Sequence, residues 1–229
     1  MPAFKHQTIV DFVTLEDASI TQQKLLSIHH DRGFCEQIHV QILETYLTEQ
    51  VQNSFVDIDA NLALLKLYQL YPSTIKAENV VNVLVKGIMT LPSTFFTGAT
   101  TMIPESTSED VNVTAALHTG FMLQSCLFED FWKQDVTFAD NVQGFLESVR
   151  AYILKAIRCS HSVISTDVFK AKLNVSDEEV AEIVAAEKWT ILNNLIQINP
   201  NKDNQMQAKK VQENIEFEDV LKVIHTLSR

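Results

Sequence analysis

Glycine and proline are scarce in this chain, since each occurs only five times among 229 residues. Soluble domains contain about 7% glycine and about 5% proline. Sheet-rich folds need both residues in their many tight turns. The scarcity therefore favours long helices joined by short polar connections over a fold built from many strands.

Cysteine is also rare, and its three copies are widely spaced, at Cys35, Cys126 and Cys159. An odd number of cysteines without any Cys-x-x-Cys pair argues against a disulfide framework and against a zinc site. We therefore expect three buried, reduced thiols.

Sequence patterns of known catalytic sites are missing as well. The chain has no glycine-rich phosphate loop, no Gly-x-Ser-x-Gly and no His-Glu-x-x-His. His29 and His30 are adjacent, and adjacent side chains on a helix do not face each other, so they are poor joint metal ligands. The sequence thus predicts no catalytic residue, no metal site and no cofactor, and we expect a protein that is not an enzyme.

Positive charge is in the minority. The chain has 18 Lys and Arg against 29 Asp and Glu, a formal net charge of −11. Such a surface repels phosphate backbones unless a local basic patch overrides it. The two uncharged stretches, 87–104 and 111–128, contain too many polar residues for a membrane span of about 20 apolar residues. No signal peptide is recognisable at the start. We expect a cytoplasmic protein without a membrane partner.

The chain is rich in apolar residues at helical spacing. Helices are predicted over about 15–30, from 36 onward, and over 57–71, 78–91, 93–103, 113–124, 128–134 and 145–159. Short links between consecutive helices are typical of a stacked helical array. Residues 1–15 show weak periodicity and are interpreted as a loose arm. The predicted division is an N-terminal arm with a first helix over 1–30, followed by a HEAT-like helical-repeat domain over 31–159.

The pattern changes after residue 160. A helix over 160–173, a polar turn and a second helix that begins with a capping box at Ser176 and Glu179 predict a helix-turn-helix. A strand at 195–198, a turn-rich stretch at 199–204 and a return strand at 211–214 would complete a winged helix. The predicted fold is therefore mainly α, with the helical array followed by a winged-helix domain over 160–229.

Winged helices often bind DNA through the second helix of the motif. Here that helix begins Asp177-Glu178-Glu179, and carboxylates that face phosphates are strongly unfavourable. Three lysines of the expected wing form a modest basic patch, and whether they contact RNA stays open: Lys202, Lys209 and Lys210. Protein–protein interaction is the favoured interpretation.

A last helix is predicted over 217–227. Its apolar side chains, including Leu227, share one face. Four of them are the candidate partner-binding residues: Phe217, Val220, Leu221 and Ile224. This face packs either on its own domain or on the helices of a partner.

Five segments resemble the PCI family of complex subunits and, within it, the family of K subunits of eukaryotic translation initiation factor three. These segments are 59–69, 91–97, 128–132, 144–150 and 215–220. Their order is that of the family, and together they extend over nearly the whole chain.

The resemblance implies a PCI-type architecture, a helical-repeat domain followed by a winged helix. It also implies a non-catalytic scaffold subunit that pairs chiefly with the L subunit among the other subunits of the factor. Through the complex, such a subunit supports binding of the small ribosomal subunit during translation initiation. Small PCI subunits of the proteasome lid or the signalosome share the domain order and are the alternative. A nucleic-acid-binding winged-helix protein is the third possibility.

Overall fold

The computed structural model describes residues 4, 7–14, 18–31, 34–206 and 216–227. Within these ranges the chain is mainly helical, as the scarcity of glycine and proline predicts. The α-helices are α1 (Ile20–Asp31), α2 (Val40–Gln52), α3 (Ile58–Leu70), α4 (Ala77–Met89), α5 (Phe95–Thr101), α6 (Val111–Gln124), α7 (Phe128–Phe131), α8 (Phe145–Ser160), α9 (Thr166–Leu173), α10 (Asp177–Glu187) and α11 (Phe217–Leu227). The strands are β1 (Thr8–Val10), β2 (Phe55–Asp57), β3 (Val163–Ser165), β4 (Thr190–Leu192) and β5 (Leu195–Gln197).

Side-chain caps fix where several helices begin. The Asp57 carboxylate accepts a hydrogen bond from the backbone N–H of Ala60 at the start of α3. Asp110 accepts from the N–H groups of Asn112 and Val113 at the start of α6. These groups have no partner inside their helix, so an aspartate at this position stabilises the first turn. The predicted start at Asp57 is confirmed.

Helix α4 is the centre of the helical array. It packs against α2, α5, α6 and α8. Nine of its thirteen residues are buried, whereas a surface helix buries only one stripe. Because four neighbours share α4, a change in its packing affects most of the array.

Glycines let α5 approach both α4 and α6. The Phe96 ring of α5 is fully buried. A Cβ atom built on Gly120 would lie 2.0 Å from Cζ of Phe96, and one built on Gly87 would lie 3.1 Å from its Cα. A larger residue at either position would therefore push α5 away from its neighbour.

The N-terminal segment is docked, so the interpretation of residues 1–15 as a loose arm was wrong for its described part. Strand β1 pairs in parallel with β2, with Thr8 opposite Phe55 and Val10 opposite Asp57. Phe12 is buried in the core. A three-residue strand is too short for a periodic signal, and its partner is more than forty residues away in the chain.

Two buried ionisable side chains hold this small sheet in place. Lys86 on α4 donates hydrogen bonds of 3.1 Å to the backbone oxygens of Asn53 and Phe55 and to Oε1 of Gln7. Asp57 accepts from the Phe12 backbone N–H at 2.9 Å. Burial raises the pKa of the Asp57 carboxyl, while hydrogen bonds partly offset that effect.

The C-terminal module differs from its predicted element order. Helix α8 ends at Ser160, and Ile164 lies in β3, so the predicted helix over 160–173 was wrong in its first part. Strand β5 pairs with both β3 and β4 in an antiparallel sheet. The β4–β5 turn consists of Asn193 and Asn194, both with left-handed φ angles, which suits a two-residue hairpin.

The strand at 195–198 therefore pairs with the segment before it, whereas the prediction placed its partner after it. The predicted return strand at 211–214 lies outside the described residues. Strand β4 follows Trp189 directly, so its apolar residues have the pattern of a continuation of the preceding helix.

The expectation of three buried thiols was also wrong. Cys35 and Cys126 are exposed, although all three cysteines are free.

Replacing Gly120 by alanine should destabilise the protein. The new methyl group would collide with the buried Phe96 ring, and overpacking of this kind costs about 1–3 kcal/mol. Gly98→Ala is the matched control, because the nearest atom to a Cβ there is Leu62 Cδ2 at 4.0 Å. In urea unfolding, Gly98→Ala should be neutral or stabilising. Equal stability of the two variants would contradict the packing described above.

Lys86 should make stability depend on pH. Burial lowers the pKa of Lys86 to about 8, whereas a lysine in the unfolded chain keeps a pKa of about 10.4. Above pH 8 the unfolded state therefore holds a proton that the folded state has lost, and the free energy of unfolding rises with pH. We expect this contribution to approach about 1 kcal/mol between pH 8 and pH 9.

Urea unfolding of the native protein and of Lys86→Met at pH 7, 8 and 9 measures this effect. The variant should be less stable overall, because two backbone carbonyl groups lose their donor. Its free energy of unfolding should not show the rise between pH 8 and pH 9. If the free energy of unfolding changed with pH in the same way for both proteins, Lys86 would stay protonated over the whole range.

Candidate interaction surfaces

The four candidate partner-binding residues lie together on one face of α11 and are exposed. Their exposed fractions are 76% for Phe217, 40% for Val220, 48% for Leu221 and 56% for Ile224. Their spacing of three and four residues places them on a single stripe. An apolar stripe of this kind on a surface helix is a candidate contact face.

Two further residues widen this face. Val223 and Leu227 are also exposed and border the same stripe. Sequence reasoning placed Leu227 on this face without naming it a candidate contact, and it omitted Val223. We call the six side chains the α11 face: Phe217, Val220, Leu221, Val223, Ile224 and Leu227. The opposite side of the helix is polar, with a 3.2 Å ion pair between Lys222 and Asp219.

Helix α10 presents an acidic surface. The predicted capping box is confirmed, since Ser176 Oγ accepts from the Glu179 N–H and Glu179 Oε2 accepts from the Ser176 N–H. Asp177, Glu178 and Glu179 are all exposed at the start of the helix. Hydrogen bonding to Ser176 lowers the pKa of Glu179, so its carboxylate stays charged. This end of α10 is electrostatically unsuited to a phosphate backbone.

The lysines considered for nucleic-acid binding are only partly described. Lys202 lies in the loop between Asn199 and Asn204, while Lys209 and Lys210 lie outside the described residues. The loop itself is held against the end of α8, where Asn201 Nδ2 donates to the backbone oxygen of Arg158. Asn204 Nδ2 donates to the backbone oxygens of His161 and Asn199 at 3.2 and 3.0 Å.

Two side chains of the helical array hold the end of α9. Nε1 of Trp132 donates to the backbone oxygen of Lys172 at 2.8 Å. Arg150 donates to the backbone oxygens of Leu173 and Asn174 and lies over the Trp132 ring. The last carbonyl groups of a helix have no partner inside it. These donors therefore fix the C-terminal module relative to the array.

A second connection joins α8 and α10 through an ion pair between Arg158 and Glu187. Asn201 Nδ2 also donates to the backbone oxygen of Arg158 at 2.9 Å. These contacts lie at the C-terminal end of α8, while Arg150 and Trp132 contact the module at the end of α9. Contacts at two places restrict rotation between the module and the array.

The adjacent histidines of α1 have an aromatic environment. The rings of His29 and His30 are 6.1 Å apart, and His29 packs edge-on against Phe12 at 5.8 Å. Within the described part of the chain, no group of three or more His, Cys, Asp or Glu side chains is arranged to hold a metal ion. In the same part, no helix is both long and apolar enough to cross a lipid bilayer.

The fold and these surfaces define a mainly helical protein that ends in a small module of helices and a three-stranded sheet. The model of the CSN8/PSMD8/EIF3K family matches residues 74–210, more than half of the chain.

The relatives of this chain include proteins named eukaryotic translation initiation factor 3 subunit K. The protein from Yarrowia lipolytica is 30% identical over 200 residues, which cover 81% of this chain and 86% of the relative. The protein from Xenopus laevis is 29% identical, with 78% and 84% covered. The protein from Drosophila grimshawi is 27% identical, with 80% and 84% covered.

The chain therefore belongs to the CSN8/PSMD8/EIF3K family, which is PCI-related. The resemblance to K subunits that the five sequence segments indicated is confirmed.

The contact between Trp132 and α9 predicts a measurable loss of stability in Trp132→Phe. The phenyl ring fills most of the space but cannot donate to the Lys172 oxygen, which should cost about 1 kcal/mol. Trp189→Phe is the matched control. Trp132 is half-buried, and Trp189 is buried next to Phe169, but the indole of Trp189 makes no hydrogen bond with a described residue.

Chemical unfolding followed by circular dichroism compares the two variants. The loss in Trp132→Phe should exceed that in Trp189→Phe by about 1 kcal/mol. If Trp189→Phe is equally or more destabilised, the hydrogen bond to α9 contributes nothing beyond ring packing.

Proposed function

We propose that this chain is a non-catalytic subunit of eukaryotic translation initiation factor 3. It acts in the cytoplasm as a scaffold within that complex and thereby supports binding of the small ribosomal subunit during initiation. The observation that carries the proposal is the similarity, over about 80% of the chain, to proteins named subunit K of this factor. Direct RNA contact is not part of the proposal, because the exposed start of α10 is acidic.

The proposal includes an architecture. Residues 1–30 form an N-terminal arm, docked through β1, and a first helix. Residues 31–159 form a HEAT-like helical-repeat domain, and residues 160–229 form a winged-helix domain with a C-terminal helix. Consecutive packed helices around α4 support the first assignment. The order β3, α9, α10, β4 and β5, with an antiparallel hairpin after the second helix, supports the winged helix.

Within this architecture, the α11 face is the proposed contact with other subunits of the factor, chiefly the L subunit. Covering an exposed Leu, Ile, Val or Phe side chain completely is worth about 1.5–3 kcal/mol. The face concentrates several such side chains on one helix, so a partner helix that covered them would gain considerable stability. The polar opposite side of α11 then stays in water.

A single charge on the face tests this contact. Leu221→Asp places a carboxylate in the proposed interface, where it would lose its hydration without gaining a partner. Thr226→Asp adds the same charge to the opposite side of the same helix. We expect Leu221→Asp to lower recovery of initiation factor 3 subunits at least tenfold in affinity purification from cells, and Thr226→Asp to leave it within twofold.

The same purification tests the contact and the function separately. The two variants report on the α11 face, and the identity of the subunits recovered with the native protein reports on the function. Equal recovery with both variants would overturn the assignment of the α11 face. Recovery of proteasome-lid or signalosome subunits by the native protein, in place of initiation factor subunits, would overturn the proposed function.

A further inference from the structure

A polar groove runs along α2 and α4 of the helical array. A cavity of about 920 Å³ opens between α2 and α4. It shares Glu78, Asn82 and Asn141 with a neighbouring cavity of about 340 Å³, which extends to Asp110 and Asn112. We call the combined cavity the amide groove.

Side-chain amides of this groove are free to bind a ligand. Gln37, Gln41, Asn82 and Asn141 make no side-chain hydrogen bond with any residue that the structure describes. Each amide offers both donor and acceptor groups, which is the combination that a peptide group in an extended chain needs. All four line the same cavity.

Glu44, one of the charged residues that line the groove, has two partners. Glu44 accepts from Tyr68 Oη at 2.7 Å and pairs with Lys76 Nζ at 2.5 Å. Lys76 is therefore neutralised by Glu44. The remaining carboxylates of the groove, Glu78 and Asp110, give it an excess of two negative charges. This excess favours a cationic ligand and opposes a nucleic acid.

The groove has the length of a short peptide. Along α2 it is lined from Val40 to Val51, and eleven helical steps of 1.5 Å make about 17 Å. An extended chain covers about 3.3–3.6 Å per residue, so about five residues fit along this wall.

We propose that the amide groove binds an extended, basic segment of a partner polypeptide. The free amides bind its backbone, and Glu78 and Asp110 attract its Lys or Arg side chains. The groove lies on α2 and α4, so this site is separate from the α11 face and does not depend on the function proposed above.

Fluorescence anisotropy with the full-length protein tests the proposal. The probes are a labelled ten-residue peptide of alternating Ser and Lys, the corresponding Ser and Glu peptide, and a ten-nucleotide oligouridylate. At physiological ionic strength, only the Ser and Lys peptide should bind. Glu78→Lys should weaken its binding at least tenfold. Glu182→Lys changes the net charge equally on the exposed surface of α10 and should change the affinity less than twofold.

A second pair of variants guards against misfolding. Gln41→Lys alters an exposed residue on α2 and should weaken binding severalfold. Asn82→Ala removes one amide without changing the charge and should weaken it about fivefold. Equal weakening by Glu78→Lys and Glu182→Lys would mean that the peptide responds only to net charge, and the proposal would be wrong. It would also be wrong if the Ser and Lys peptide did not bind, or if the oligouridylate bound in its place.

Discussion

The burial of α4 is the constraint on which the rest of the array depends. Four helices pack around it, so nine of its thirteen residues are buried. Such packing requires close approach, and the glycines at positions 87 and 120 allow it by leaving room for Phe96. It also forces Lys86 into the interior, where three oxygen atoms take the place of water. The N-terminal segment is part of this arrangement, because Gln7, the residue before β1, supplies one of the three oxygen atoms.

The C-terminal module also depends on contacts with the helical array. Its helix α9 ends against the array, and the carbonyl groups at that end obtain their donors from Trp132 and Arg150. The module is thus oriented by hydrogen bonds that its own residues cannot provide. An assembly subunit benefits from this rigidity, because surfaces on the array and on the module can then meet a large partner without a further loss of conformational entropy.

The two proposed contact surfaces use different chemistry. The α11 face is apolar and gains free energy when water is excluded, which suits a stable subunit contact. The amide groove is polar and acidic, so it gains little from burial and more from matched hydrogen bonds and charge. Partners of the two surfaces should therefore differ in salt dependence, with binding in the groove weakening more as ionic strength rises.

Much of the fold could be predicted from the sequence, because helical periodicity and capping are local. Asp57, the Ser176–Glu179 capping box and the limits of α11 follow from residues a few positions apart. Strand β5 could be predicted as well, but β1 and β3 could not, because they depend on partners far away in the chain and are too short to show a pattern. Residues of the α11 face could be named from their spacing, whereas their exposure depended on where the helix lies.

The sequence by itself determined a mainly helical chain, its acidic second helix in the C-terminal module and its family, since these rest on composition, spacing and local similarity. Only the tertiary structure decided that the N-terminal segment is docked, that Lys86 is buried and that amides of separate elements line one groove. The physical reason is that burial and long-range hydrogen bonds depend on which surfaces meet. No local pattern of residues contains that information.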